Sequence, residues 1–174
     1  MSNLKGCVRV ALFVLAAALS CAAQTRSTRT ANYEFKGNQT ASGAVAGSPD
    51  TRYVTFSGEA KSTNSKLAAS IDVFTYTLQY VVSSNGVGTV TGGQWTATTV
   101  NKDRPSQSVG GSVAMGAQLT LKADGTLAPG NFSVTFEPGD PSWEVSGNLT
   151  GAVDKSRPPR AAGQLTLTYP IIVQ

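Results

Sequence analysis

The chain has 174 residues, with 14 Lys and Arg against 10 Asp and Glu, two Cys and no His. Both cysteines, Cys7 and Cys21, lie in a segment that reads as an export signal, so the remainder has no residues for Ser-His-Asp or Cys-His catalysis, for imidazole or thiolate metal sites, or for haem and iron–sulfur ligation. Lys5 and Arg9 fall in the same segment, so the formal charge of +4 overstates the basicity of the remaining chain, and with no dense Lys/Arg face nucleic acid is not an expected partner.

Lys5 and Arg9 form a positive first region, Val10 to Leu19 an apolar run, and Ser20-Cys21-Ala22-Ala23 the small residues of a cleavage site. The apolar run is well short of the ~20 residues that a spanning helix needs. This pattern predicts a signal helix over 1–23, a flexible leader over 24–30 and a single β-domain over 31–174. Cleavage after Ala22 or Ala23 implies a secreted or periplasmic protein. The alternative is a lipid on Cys21 and an outer-membrane anchor, since Ala18-Leu19-Ser20-Cys21 partly resembles a lipobox, with Ala where Leu is usual.

From residue 31 onward the dominant period is two. Ala31–Lys36 and Tyr53–Glu59 read as weaker strands around a Gly/Ser/Pro-rich loop, Gly37–Asp50, and Lys61–Ser70 is the one stretch with a short-helix reading. Asn85-Gly86 then separates Ile71–Ser84 from Val87–Val100, the signature of a two-residue hairpin turn. Pairing Ser84 with Val87 sets Tyr76 opposite Trp95, Phe74 opposite Ala97, Leu78 opposite Gly93 and Val82 opposite Thr89. The other face carries Thr77 with Gln94, Thr75 with Thr96 and Gln79 with Gly92, so the aromatic face is the core face.

Val109 to Ala123 alternates most clearly, with Val109, Val113, Met115, Leu119 and Leu121 on one face. Asp124-Gly125 follows, and pairing Ala123 with Thr126 sets Val113 opposite Phe136, Met115 opposite Val134 and Ala117 opposite Phe132. A bulge at Pro129-Gly130 would flip that parity. Toward the carboxyl end, Trp143, Val145, Leu149 and Val153 alternate with polar residues. Beyond a loop at Lys155–Ala161, Leu165, Leu167, Tyr169, Ile171 and Val173 do the same, and Pro170 predicts that this last strand ends at or near a sheet edge.

The expected fold is therefore all-β, an antiparallel sandwich or small barrel of about eight strands after the signal helix. A simple meander would gather Ala60–Lys66, Asn101–Gln107 and Glu137–Ser142 at one end. Gly37–Asp50, Asn85-Gly86, Asp124-Gly125 and Lys155–Ala161 would lie at the other.

Three clusters carry candidate chemistry. Glu137, Asp140 and Glu144 flank Trp143, with Asp103 expected at the same end, and paired carboxylates beside an aromatic suit glycoside hydrolysis. Pro138-Gly139-Asp140-Pro141 is also an ordinary tight turn, which accounts for these residues unaided, and the spacing is not that of an EF-hand. Lys155, Arg157 and Arg160 suit an anionic glycan or a phosphate surface, or simply a stiff polar loop. Tyr76, Tyr80, Trp95 and Phe74 suit a stacking platform or a cavity lining, although cross-strand aromatic pairs ordinarily serve packing. The Asn38, Asn131 and Asn148 glycosylation triplets are what chance supplies in a Thr-rich chain.

The candidate binding residues are thus Tyr76, Tyr80, Trp95, Trp143, Arg157 and Arg160, with no catalytic residue, metal ligand or cofactor assigned. The leading expectation is an exported, non-enzymatic β-domain that binds an extracytoplasmic glycan, small apolar molecule or surface protein. The alternatives are a carboxylate-dependent glycan-active enzyme and a structural or adhesive surface subunit built by edge-to-edge strand assembly. A membrane-spanning barrel is disfavoured by the sparse aromatics and the Ile-Ile-Val-Gln end.

Overall fold

A computed structural model describes residues 26–66, 68–101, 104–139 and 144–172. The expected signal and its Cys21 lie outside the described residues. Thr28–Pro170 form one compact unit. No helix occurs among the described residues, and those of Lys61–Ser70 run from the end of a strand into turn and irregular chain.

The strands are β1 (Arg26–Val45), β2 (Ser48–Ser62), β3 (Ile71–Val82), β4 (Val87–Asn101), β5 (Arg104–Val113), β6 (Gln118–Thr120), β7 (Gly130–Pro138), β8 (Ser146–Val153) and β9 (Arg160–Ile172). Their order is β3-β2-β1-β9-β8-β7-β5-β4-β6, and β3 also pairs with β4, which closes the sheet. β6 continues the lane of β5 alongside β4, so the result is an antiparallel closed barrel of eight strands. Every connection joins lane neighbours, as in a meander. The turns at 46–47, 83–86, 121–129 and 154–159 lie at one end, the turn end. The loops at 63–70 and after Pro138 lie at the other, the loop end.

Several expectations are corrected. The Gly37–Asp50 segment is strand, not loop. β1 and β2 form one long hairpin around Ala46-Gly47, with Val45 paired to Ser48, because Gly, Ser and Thr on an outer barrel face need no apolar alternation to stay in the ladder. The leader expected over 24–30 enters β1 at Arg26. Pro170 does not mark an edge. β9 lies between β1 and β8, and Pro170 sits past the last β8 pair, Ser146 with Thr168, so β8 demands no N–H of it.

The β3–β4 hairpin has Tyr76 opposite Trp95, Phe74 opposite Ala97 and Leu78 opposite Gly93, as predicted. Near the turn it differs. Ser83 N–H donates to the Val87 carbonyl at 3.0 Å, so the loop has three residues, with Gly86 at φ 75°. Val82 consequently faces Gly88 rather than Thr89. One extra residue, Thr91, then falls between the pairs Tyr80–Val90 and Gln79–Gly92, and the inward set changes from Gly88 and Val90 to Trp95 and Ala97. The added loop residue and the bulge cancel, which returns the rest of the hairpin to the predicted register.

The next hairpin repeats the device. Lys122 N–H donates to the Thr126 carbonyl at 2.8 Å around a three-residue loop with Gly125 at φ 74°, so Ala123 does not pair with Thr126. At Pro129-Gly130 the inward set changes from Gly125 and Leu127 to Phe132, Val134 and Phe136, and Val113 then faces Phe136 as expected. The long strand predicted at Val109–Ala123 is broken at Ala114–Ala117, where Ala114 N–H turns to the Thr135 carbonyl and Gly116 N–H to that of Val90. Met115 rides on this excursion and is 78% exposed instead of facing Val134, whereas Leu119 beyond it is buried.

The barrel interior is filled by side chains. Phe35, Phe56, Phe74, Tyr76, Trp95, Phe132 and Phe136 form a ring cluster with centroids 5.4 to 6.3 Å apart. Above and below it pack Leu78, Val90, Leu149 and Leu165, all fully buried. The outer face is polar, laced by hydroxyl pairs such as Ser57–Thr75 at 2.8 Å, Thr55–Thr77 at 2.9 Å and Ser133–Thr150 at 3.1 Å. An apolar inside and a polar outside are the reverse of the lipid-facing pattern of a membrane-spanning barrel.

Candidate functional site

Of the six candidate residues, three lie in the core. Tyr76, Tyr80 and Trp95 are 0%, 2% and 1% exposed. The Trp95 indole N–H donates to the Glu137 carbonyl at 2.9 Å and the Tyr80 hydroxyl to the Gly125 carbonyl at 3.3 Å. Their faces are occupied by neighbouring rings and strands, and packing accounts for them. Trp143 lies outside the described residues, as do Asp140 and Asp103 of the carboxylate cluster. Of that cluster, Glu137 and Glu144 are exposed, and Glu137 Oε2 accepts from the Ser112 hydroxyl at 3.3 Å.

Arg157 and Arg160 are exposed at the turn end. Arg160 contributes its backbone N–H to Asp154, 2.9 Å away, which also accepts from the Ser156 N–H and hydroxyl. These bonds hold the Asp154 carboxyl below its ordinary value, the Ser156 hydroxyl contributing most. The loop carrying the basic residues is therefore tied down by its own acid.

The arrangement best suited to a ligand is one that sequence patterning does not single out. At the loop end the side-chain filling of the barrel stops short, leaving an apolar cup of about 430 Å3. Tyr33 of β1, Ile71 of β3, Ala97 of β4, Val109 of β5, Val145 and Leu167 of β9 supply its wall, and Ala68 and Ala69 of the β2–β3 loop its rim. Tyr33, Ala97 and Leu167 are the next inward positions beyond Phe35, Trp95 and Leu165 on their strands, which period-two alternation finds, whereas Ile71 lies three residues before Phe74, past the exposed Asp72 and Val73, where alternation misses it. The polar groups are few: the Tyr33 and Tyr169 hydroxyls, Thr99 and Gln107. Burial raises the Tyr33 pKa above 10.0, with Tyr169 adding to the effect, so its hydroxyl is a neutral hydrogen-bonding group at physiological pH.

The other hollows differ in kind. One of about 490 Å3 runs along the outside of the barrel beside the exposed Lys36, Asn38, Ala152 and Ala162, a surface groove rather than a recess. Those at the turn end are lined by charged and hydroxyl groups. Among the described residues no three His, Cys, Asp or Glu side chains converge as a metal site would require.

Fold and cup together define a class: a small, closed up-and-down β-barrel, polar outside, with a ligand-sized apolar recess at one mouth. No family model, curated protein or solved structure matches the chain.

Proposed function

We propose that this protein is an exported, non-enzymatic barrel that binds a small, largely apolar molecule in the loop-end cup. The observation that carries the reading is the cup itself. Its volume falls within the ~300–1,000 Å3 typical of small-molecule sites, and an apolar wall with a few convergent hydroxyls is their usual chemistry. Export rests on the amino-terminal charge and hydropathy pattern. The ligand this chemistry favours has an apolar body and one hydroxyl or carbonyl group reaching Tyr33 or Tyr169. Edge-to-edge assembly has less support, because barrel closure pairs both sides of the described lanes.

The test is titration with a neutral apolar fluorophore such as N-phenyl-1-naphthylamine, followed by displacement with medium-chain alcohols. Ala69 is exposed at the rim, so Ala69→Trp fills the mouth without disturbing the core. Excluding two methylenes' worth of contact, at ~0.8 kcal/mol each, weakens binding about tenfold. No binding by the native protein, or equal binding by the variant, overturns the proposal.

A further inference from the structure

At the turn end, opposite the cup, basic residues from one strand and two connections meet. Arg52 of β2 and Lys122 of the hairpin between β6 and β7 border one hollow of about 370 Å3, together with Gln39, Ser42, Tyr53 and Thr126. No carboxylate lines it. A second hollow of about 310 Å3 shares Lys122, Leu127 and Pro159 with the first and adds Lys155 and Arg157. Its single carboxylate, Asp154, is already engaged by Ser156 and Arg160.

Arg52 is the informative residue. It is half-buried, and its guanidinium lies across the Asp124–Gly125 turn, so close that a methyl group on Gly125 would meet Nε at 2.9 Å. Yet its side chain makes no ion pair or hydrogen bond with any described residue, although, after the Thr126 hydrogen bonds, its charge and that of Lys122 help hold the Asp124 carboxyl below its ordinary value. The nearby Asp124 carboxylate accepts the Thr126 N–H at 2.9 Å and the Thr126 hydroxyl at 2.6 Å. A partly desolvated guanidinium costs free energy unless an anion or acceptor meets it, and its planar fork suits an oxyanion.

We propose that the two adjoining hollows form a binding site for an anionic oligosaccharide. One sulfate, phosphate or carboxylate group sits between Arg52 and Lys122, and a second between Lys122, Lys155 and Arg157. Gln39, Ser42, Tyr53, Thr126 and Ser156 supply neutral hydrogen bonds for sugar hydroxyls. A glycan is favoured over a membrane surface because the sites are recessed. Among the described residues, none of the exposed large apolar ones, Val73, Val81, Val100 and Met115, lines either hollow to insert into lipid.

The experiment titrates the purified protein with a sulfated hexasaccharide at low ionic strength. The unsulfated sugar and anionic phospholipid vesicles form the other two arms. The sulfated sugar alone is expected to bind, with affinity falling as salt rises. Arg52→Gln and Lys122→Gln each weaken it about threefold to fivefold, the range for one solvent-accessible charge contact, while near-ultraviolet circular dichroism stays native. Arg52→Lys recovers part of the loss, which a purely structural role for Arg52 would not produce. Lys61→Gln, at the loop end where Lys61 pairs with Glu59 at 3.1 Å, leaves binding unchanged. Four outcomes overturn the assignment: no binding of the sulfated sugar, an equal loss in Lys61→Gln, equal binding of the unsulfated sugar, or binding to vesicles with the same variant pattern. None of them bears on the apolar cup.

Discussion

The Trp95 indole on β4 reaches past Gly111 on β5 to donate its N–H to the Glu137 carbonyl on β7, 2.9 Å away. Gly111 is paired with Trp95 on one side and Pro138 on the other, and a Cβ there would lie 1.9 Å from that same carbonyl oxygen. One hydrogen bond thus ties three adjacent lanes of the barrel, and it needs a position without a side chain. Trp95→Phe removes the donor and leaves a void in the ring cluster, for an expected loss of ~2–4 kcal/mol. Gly111→Ala keeps the tryptophan but forces β5 and β7 apart, and is expected to cost at least as much. Urea unfolding of both variants checks this. A Gly111→Ala protein of native stability would contradict the close approach.

Tyr76 sits in the middle of the same cluster, fully buried, and its hydroxyl has no hydrogen-bond partner among the described residues. A buried unpaired hydroxyl opposes folding. Tyr76→Phe keeps the stacked contact with Phe56 at 5.5 Å, and is expected to raise stability by ~1 kcal/mol at neutral pH. The midpoint of urea unfolding is the measurement, and a lower midpoint would mean that the hydroxyl is satisfied.

Alkaline pH acts on the same group. Burial lifts the Tyr76 pKa well above 10.0, and burial also raises Tyr80 and Tyr33. Below pH 10 these hydroxyls are neutral in both states and contribute no pH dependence. As pH rises beyond 10, the unfolded chain loses these protons while the folded barrel retains them, so stability falls. Tyr76 alone contributes a decline approaching ~1.4 kcal/mol per pH unit. Tyr76→Phe should make the decline shallower by about one proton's worth. Equal slopes in the two proteins would show that Tyr76 does not stay protonated in the fold.

Much of this architecture is legible in the sequence because a strand's two faces differ. The pairs Tyr76–Trp95, Phe74–Ala97 and Val113–Phe136 follow from turn chemistry and parity alone. Where the sequence misleads, the cause is local. Parity puts Met115 inward because it assumes an unbroken strand, and the excursion at Ala114–Ala117 reverses one side chain without altering the parity of Leu119 beyond it. The Gly37–Asp50 segment reads as loop because hydroxyls and glycines on a wet outer face leave no hydropathy signal, although the ladder between β1 and β2 runs through it.

The candidate site divides along the same line. Composition rules out imidazole chemistry, and the turn-end residues Arg157 and Arg160 are visible in the sequence as a basic cluster. The amino-acid order determined, by itself, which side chains are apolar, which alternate and where the chain turns, since these are local properties of neighbouring residues. Closure into a barrel decided the rest. It shut Tyr76, Tyr80 and Trp95 inside, left the cup bounded by Tyr33, Ile71, Val109 and Leu167 at the loop end, and brought Arg52 and Lys122 together at the turn end. Those groupings join residues far apart along the chain, and only the pairing of every lane with two neighbours sets which of them meet.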